Sequence, residues 1–401
     1  MTTAHTRAAA LSAPRPQRLM VFARIIAIVV LTHMAFVSAR MTGSLYALAN
    51  KASTFTVGVM MALFALVPML IAVRAGRWLD TVGPWRPTLT GIALMLCGLV
   101  LPAAFPYATA DVAPLLVAAA LIGTGSTLAM LAVQQVVGDY ADPNHRADAF
   151  SWLALGASIS GFTGPVLSGF VIDSFGHRAT FAVLVVIVLV ALALLWANRA
   201  LLPEHDTKVS RPEPLHPFEL LKHTHLRHVL ITTGLISMSW DLVTFVVPVQ
   251  GSRVGLSASE VGLVLGCFAA ATFSIRLAMP WLSRRFAEWQ VLIYTLFNTM
   301  VAFILFPLFS SLAPLMLVAF LLGLGLGAAQ PNVMSLLHSR TPEGRVGEAL
   351  GVRTTIMNSS HVVLPLVFGA FGSVLGAAAM LWAMALLVGA GGTAAVRWRK
   401  G

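Results

Sequence analysis

The chain has 401 residues, 58% of them hydrophobic and 10% charged, with a net charge of +11 and a mean hydropathy of +0.85. Soluble domains carry about a quarter charged residues, so this composition excludes a water-covered surface and makes the excess of basic residues a matter of membrane topology, not nucleic-acid binding. The apolar residues come in runs of about 20, the length of a helix that crosses a bilayer; runs such as 181–196 are continuously apolar and lack the alternation of a barrel strand.

Residues 1–21 are basic and rich in Ala and Pro, and they read as an N-terminal tail. The apolar stretch after them is too long for a signal peptide and lacks a clear small-x-small cleavage site, so it reads as a retained first span. The first half, 22–199, holds predicted spans at 22–48, 55–75, 87–106, 112–138, 147–172 and 178–199. The second half, 227–396, holds spans at 227–250, 258–281, 289–310, 313–338, 347–374 and 376–396. Between them, 200–226 carries Pro203, Pro212, Pro214 and Pro217 with mixed charge and reads as a linker, and 397–401 is a C-terminal tail.

Of the 26 Lys and Arg, 22 fall on the side that holds both termini and the linker. The positive-inside rule then predicts cytoplasmic termini, in a bacterial-type inner membrane. Arg40, Lys51, Arg178 and Arg253 are left for the other side or for span interiors. Cys97 and Cys267 both lie in predicted spans and imply no disulfide framework.

The halves repeat each other. At an offset of 204, Met34 meets Met238, Phe36 meets Trp240, Gly58 meets Gly262 and Trp85 meets Trp289. At an offset of 200, Gly123 meets Gly323, Gly125 meets Gly325, Ala149 meets Ala349, Pro165 meets Pro365, Gly169 meets Gly369 and Gly176 meets Gly376. Duplicated halves with a central site are a common plan of secondary transporters.

After the second span comes Gly76-Arg77-Trp78-Leu79-Asp80-Thr81-Val82-Gly83-Pro84-Trp85-Arg86. This resembles the loop 2–3 signature of the major facilitator superfamily. It matches at Gly76, Asp80, Gly83 and Arg86 and departs at Thr81 and Trp85, where basic residues are usual. The resemblance implies an all-α integral membrane fold, with twelve transmembrane helices in two pseudo-symmetric six-helix bundles. It also implies that Asp80 helps latch the halves, with the N-terminus of the eleventh span, Arg146 or Arg345 as counter-charge; a solvated loop Asp is the plainer alternative.

The fifth span carries Gly156, Gly161, Gly164, Pro165 and Gly169, which looks like the family's fifth-span motif associated with antiport and efflux. The resemblance implies packing against a partner from the other half, and generic small-residue packing competes with it. The fourth span has no Arg in 115–128, where drug antiporters of the family usually carry one.

Ionisable groups inside a span are costly and mark function by default. Of 15 acidic residues, Asp241 alone lies well inside a predicted span. His33, Val37, Arg40 and Ser44 share one face of the first span, and Ser237, Asp241, Thr244 and Pro248 share the matching face of the seventh. The family resemblance implies that the first and seventh spans are pseudo-equivalent and line the cavity, so an Arg40–Asp241 contact is expected, either as a coupling pair or as a static outer ion pair. Asp241, Arg40 and His361 are the candidates for proton coupling, although a neutral, packed role suits His361 better. The candidates for the substrate cavity are His33, Phe36, Ser44, Gln134, Ser237, Trp240, Thr244, Gln330, Asn332 and Asn358, each with interhelical hydrogen bonding or packing as the alternative. Gln135 and Phe245 lie near them. His223, His225 and His228 at the end of the linker read as an interfacial basic patch before a metal site.

No lysine is followed by Ser or Thr in a phosphate-cradling loop, which excludes an ATP-driven pump of that type. No Gly-x-Ser-x-Gly or His-Glu-x-x-His marks an enzyme, and no extramembrane stretch is long enough for a sensor module. The expectation is a monomeric secondary active transporter without cofactor or metal, with a small-molecule substrate and protons as partners. Proton-coupled efflux of a small organic compound leads, with proton-linked uptake or a non-transporting sensor as alternatives.

Overall fold

The computed structural model describes residues 15–105, 112–140, 146–199, 223–341 and 346–399. These residues form ten long helices: Arg15–Ala49, Thr54–Val82, Trp85–Ala104, Ala113–Tyr140, Arg146–Ala197, Thr224–Val254, Ala258–Arg285, Glu288–Leu305, Leu312–Arg340 and Val346–Trp398. A helix satisfies its backbone internally, and for that reason apolar runs of this length adopt it inside lipid. Eleven stretches among the described residues are long and apolar enough to cross a membrane. One of them, Leu153–Ala197, has 45 residues, about twice the length of one crossing. It breaks at Gly176 and is long enough for two passes, so the described residues supply twelve. The predicted linker lies outside the described residues up to position 222.

Two breaks expected as short loops are single glycines. Gly176 has φ 83° and ψ 171°, and Gly376 has φ 84° and ψ 162°. That backbone region is open essentially to glycine alone. Helix therefore runs up to the glycine on one side and away from it on the other, and the fifth and sixth spans join in the same way as the eleventh and twelfth.

The chain forms two compact units, residues 1–43 with 63–211 and residues 44–62 with 212–401. In the first, Gly123 of the fourth span sits on the backbone of Phe64 in the second span, where a Cβ would strike the Phe64 carbonyl. In the second, Gly323 of the tenth span sits on the Phe268 carbonyl of the eighth in the same way. Phe64 and Phe268 are partners at the 204 offset, and the glycines are partners at 200. The aromatic contacts repeat as well: Phe36 meets Phe64 edge-on with centroids 5.7 Å apart, and Trp240 meets Phe268 edge-on at 4.9 Å. The duplication is thus one of contacts as well as of sequence.

Two glycines of the fifth-span motif pack within the first unit. Gly156 lies beside Val30 and Ile26, and Gly164 beside Ser38 and the Met34 carbonyl, so both serve the first span within one unit. In the second unit, Pro365 and Gly369 of the eleventh span take Gly58 of the second span against their backbone. The loop 2–3 motif is also shorter as a loop than expected. Helix Thr54–Val82 runs through most of it, leaving a turn at Gly83, with φ 78°, and Pro84. The apolar stretch ends at Ile71, but the helix continues to Val82. Arg86 is exposed in the first turn of the third span. The side chains of Gly76, Asp80 and Arg146, and all of Arg345, lie outside what is described.

Arg178 and Arg253 close helix ends. The Arg178 guanidinium donates to the carbonyls of Ala103 and Ala104 at the end of the third span, at 3.1–3.2 Å. Arg253 donates to the Gly372 carbonyl at 3.3 Å. A cation suits the negative end of a helix dipole.

Candidate functional site

In the second unit the seventh, tenth and eleventh spans enclose a cavity of about 210 Å³. Its polar wall comprises Thr233, Ser237, Trp240, Gln330, Arg353 and His361; Ile236, Leu326, Val333 and Met357 complete it. Arg353, Met357 and His361 recur every four residues, which places them on one face of the eleventh span. Ser237 and Trp240 come from the adjoining face of the seventh.

Behind the imidazole stands Asp241, whose side chain is 1% exposed. Its Oδ1 lies 2.5 Å from Nδ1 of His361, a ring that is 31% exposed. Oδ2 is buried without a hydrogen-bond partner among the described residues. A buried carboxylate oxygen without a donor is costly. The Thr244 hydroxyl donates at 2.9 Å to the Asp241 main-chain carbonyl, one turn back on the same helix. Sequence reasoning paired Asp241 with Arg40 of the other unit; within its own unit Asp241 meets His361.

Gln330 spends its side-chain oxygen on Arg276, whose Nη2 donates to it at 3.3 Å. Its amide hydrogens remain as donors. Asn332 is turned to its own helix and donates at 2.7 Å to the Ala328 carbonyl, so its amide nitrogen is occupied. Asn358 is half-buried and is not on the cavity wall, and Phe245 is buried.

In the first unit, His33 Nδ1 lies 2.6 Å from the Ser160 hydroxyl of the fifth span. The Arg40 guanidinium stands 5.7 Å from the ring centre of Phe36, one helical turn back on the same helix. Ser44 is fully buried, and Gln134 is half-buried in the fourth span. The side chain of Gln135 lies outside what is described. Of the three histidines near the linker's end, His228 stacks on Trp398 with centroids 4.2 Å apart. Among the described residues, no group of three His, Cys, Asp or Glu is placed to hold a metal ion.

The residue that sequence reasoning missed is Arg353. Counting basic residues by side assigned it to the flank of loop 10–11, but its position is the cavity wall. The signal was available in its spacing of eight from His361.

The family model of the Major Facilitator Superfamily matches residues 25–365 and again 229–401. The chain belongs to that superfamily. It is 29% identical over 258 residues to the uncharacterized MFS-type transporter YuxJ of Bacillus subtilis, covering 60% of this chain and 62% of that one. It is 23% identical over 247 residues to the multi-drug resistance efflux pump PmrA of Streptococcus pneumoniae, covering 60% and 61%. The chain thus spans about three fifths of the length of these curated relatives. Among solved structures, a POT family transporter in complex with 5-aminolevulinic acid superposes with a TM-score of 0.78 at 11% identity, over 94% of this chain and 95% of that one. A bacterial homolog of the human lysosomal transporter Spinster superposes with a TM-score of 0.75 at 13% identity, over 96% and 98%. These likenesses show the twelve-helix transporter fold, and the family places the chain among multi-pass membrane transporters.

Proposed function

We propose that this transporter is proton-coupled, works by alternating access and exports a small organic compound across a bacterial-type inner membrane, with both termini in the cytoplasm. The Asp241–His361 pair carries the reading. With a proton on the imidazole the pair is a neutral whole, and without it a buried carboxylate stands alone. An uncompensated charge at such depth costs several kcal/mol (order of magnitude), so proton loss favours a state that gives the carboxylate another partner. The imidazole wets one side of the pair, which gives protons a route from the cavity. Gly76, Asp80, Gly83 and Arg86 of the loop 2–3 motif would act on gating. Export as the direction is supported by the fifth-span resemblance and by the name of the efflux relative.

One observation favours uptake as a second reading. Arg353 makes the cavity positive, so a proton on the pair and an anionic solute would bind together, as symport requires. Both readings are tested in right-side-out and everted membrane vesicles holding the protein, with and without an imposed pH gradient. Export predicts solute accumulation in everted vesicles when their lumen is acidified. Accumulation in right-side-out vesicles under an outside-acid gradient supports uptake. Equal fluxes with and without a gradient would rule out coupling altogether.

A further inference from the structure

We infer that the cavity in the second unit binds an organic anion, a carboxylate-bearing solute with an apolar body whose charged end is taken by Arg353. This rests on the cavity being the substrate site of the proposed transporter. Three observations carry it. Among the described residues the wall holds one fixed cation, Arg353, and no carboxylate; Asp241 stands behind His361 and is already bonded to it. Arg353 Nε is buried with no hydrogen-bond partner among the described residues, and a buried guanidinium edge without an acceptor is costly. Gln330 has committed its oxygen to Arg276 and keeps its amide hydrogens, and Trp240 can only donate; Ser237 can do either, and Thr233, whose hydrogen goes to its own helix, offers only a weak neutral acceptor. A cationic or purely acceptor-seeking solute finds no acid on this wall, whereas a carboxylate finds a planar fork of donors suited to it.

The remaining wall describes the rest of the ligand. Trp240, Met357, Leu326 and Ile236 offer apolar and aromatic contact. Arg353 and His361 are eight residues apart on one helix, which separates them by about 12 Å along its axis. A solute anchored at Arg353 therefore reaches the proton-bearing pair only through its body or far end.

The test uses the full-length protein in detergent near neutral pH and three probes that share one body: 3-phenylpropionate, 3-phenylpropionamide and 3-phenylpropylammonium. Thermal unfolding is followed against probe concentration, since binding to the folded state alone raises Tm. The expected result is an apparent affinity for the carboxylate roughly tenfold above those for the amide and the ammonium, the size of one charge-assisted hydrogen bond. R353Q should abolish the difference, and R353K should keep part of it. Equal affinities, a preference for the ammonium, no shift with any probe, or an undiminished carboxylate preference in R353Q would each overturn the inference. Should R353Q fail to fold, undiminished carboxylate preference in R353K overturns it instead. The measurement involves no gradient, so loss of coupling in vesicles and loss of carboxylate selectivity here are separate failures.

Discussion

Asp241 and His361 meet side chain to side chain from the seventh and eleventh spans, and they are not equally buried. The carboxyl is sealed at 1% exposure while the imidazole keeps 31%. The two partners should therefore tolerate removal differently. His361→Ala leaves a carboxylate alone in the protein interior, which costs about 3–5 kcal/mol when a buried ion pair is broken from one side. Asp241→Asn leaves an imidazole that can stay neutral and still bond to an amide. Thermal unfolding in detergent should show a large loss of Tm for His361→Ala and a small one for Asp241→Asn. Equal losses would mean that the pair is not asymmetrically solvated.

Asp241→Asn should also separate coupling from transport. The amide keeps the shape and a hydrogen bond but can no longer exchange a proton. Solute counterflow, which needs no proton movement, should continue in proteoliposomes at a rate within a few-fold of the native chain. Accumulation driven by a pH gradient should fall to the level seen without one. If gradient-driven accumulation survives with an unaltered pH profile, the proton resides elsewhere.

The glycines that break the fifth–sixth and eleventh–twelfth helices make a matched experiment. Among the described residues nothing lies within 4 Å of a Cβ built on Gly176, and the Arg253 guanidinium at 3.7 Å is the only neighbour of one built on Gly376. Steric crowding is thus absent and the cost of alanine is that of the backbone alone, about 1–3 kcal/mol for a non-glycine residue in this conformation. Gly176→Ala and Gly376→Ala should lower Tm by similar amounts. Gly123→Ala and Gly323→Ala form a second matched pair, with ordinary helical backbone but a Cβ driven into the Phe64 or Phe268 carbonyl. Overpacking of that kind costs about 1–3 kcal/mol, and the two should again agree. Gly156→Ala meets only the methyls of Val30 and Ile26, which can rotate away, and should be the mildest of the five.

The matched glycines also show what the sequence could reveal. Twelve passes and the pairing of Gly176 with Gly376 were legible, because hydropathy has the period of the bilayer and a duplication leaves residues in register. The turn at Gly83 was not. Hydropathy reports the thickness of lipid, and helix Thr54–Val82 runs past it. Asp241 stood out as an acid in an apolar run, but its partner did not. His361 is 120 residues away, and which side chains meet depends on the tilt and rotation of two helices. The face shared by His33 and Arg40 pointed attention to Arg40, while the face shared by Arg353 and His361 went unread because Arg353 had been spent on topology.

The two halves differ most where each holds its imidazole, and this gives the last prediction. In the first unit His33 on the first span meets the Ser160 hydroxyl; in the second His361 on the eleventh span meets a carboxylate. Ser160 can follow either ring state, because a hydroxyl donates or accepts as needed. Ser160 is uncharged, so His33 has no ionic partner in this contact, whereas His361 meets a carboxyl. His33→Gln should therefore cost about one hydrogen bond, roughly 0.5–1.5 kcal/mol, and leave the pH profile of transport where it is. His361→Gln removes the titrating ring beside Asp241 and should displace or flatten that profile. Initial rates across a pH series in vesicles decide between the two sites. If His33→Gln moves the profile and His361→Gln does not, coupling belongs to the first unit.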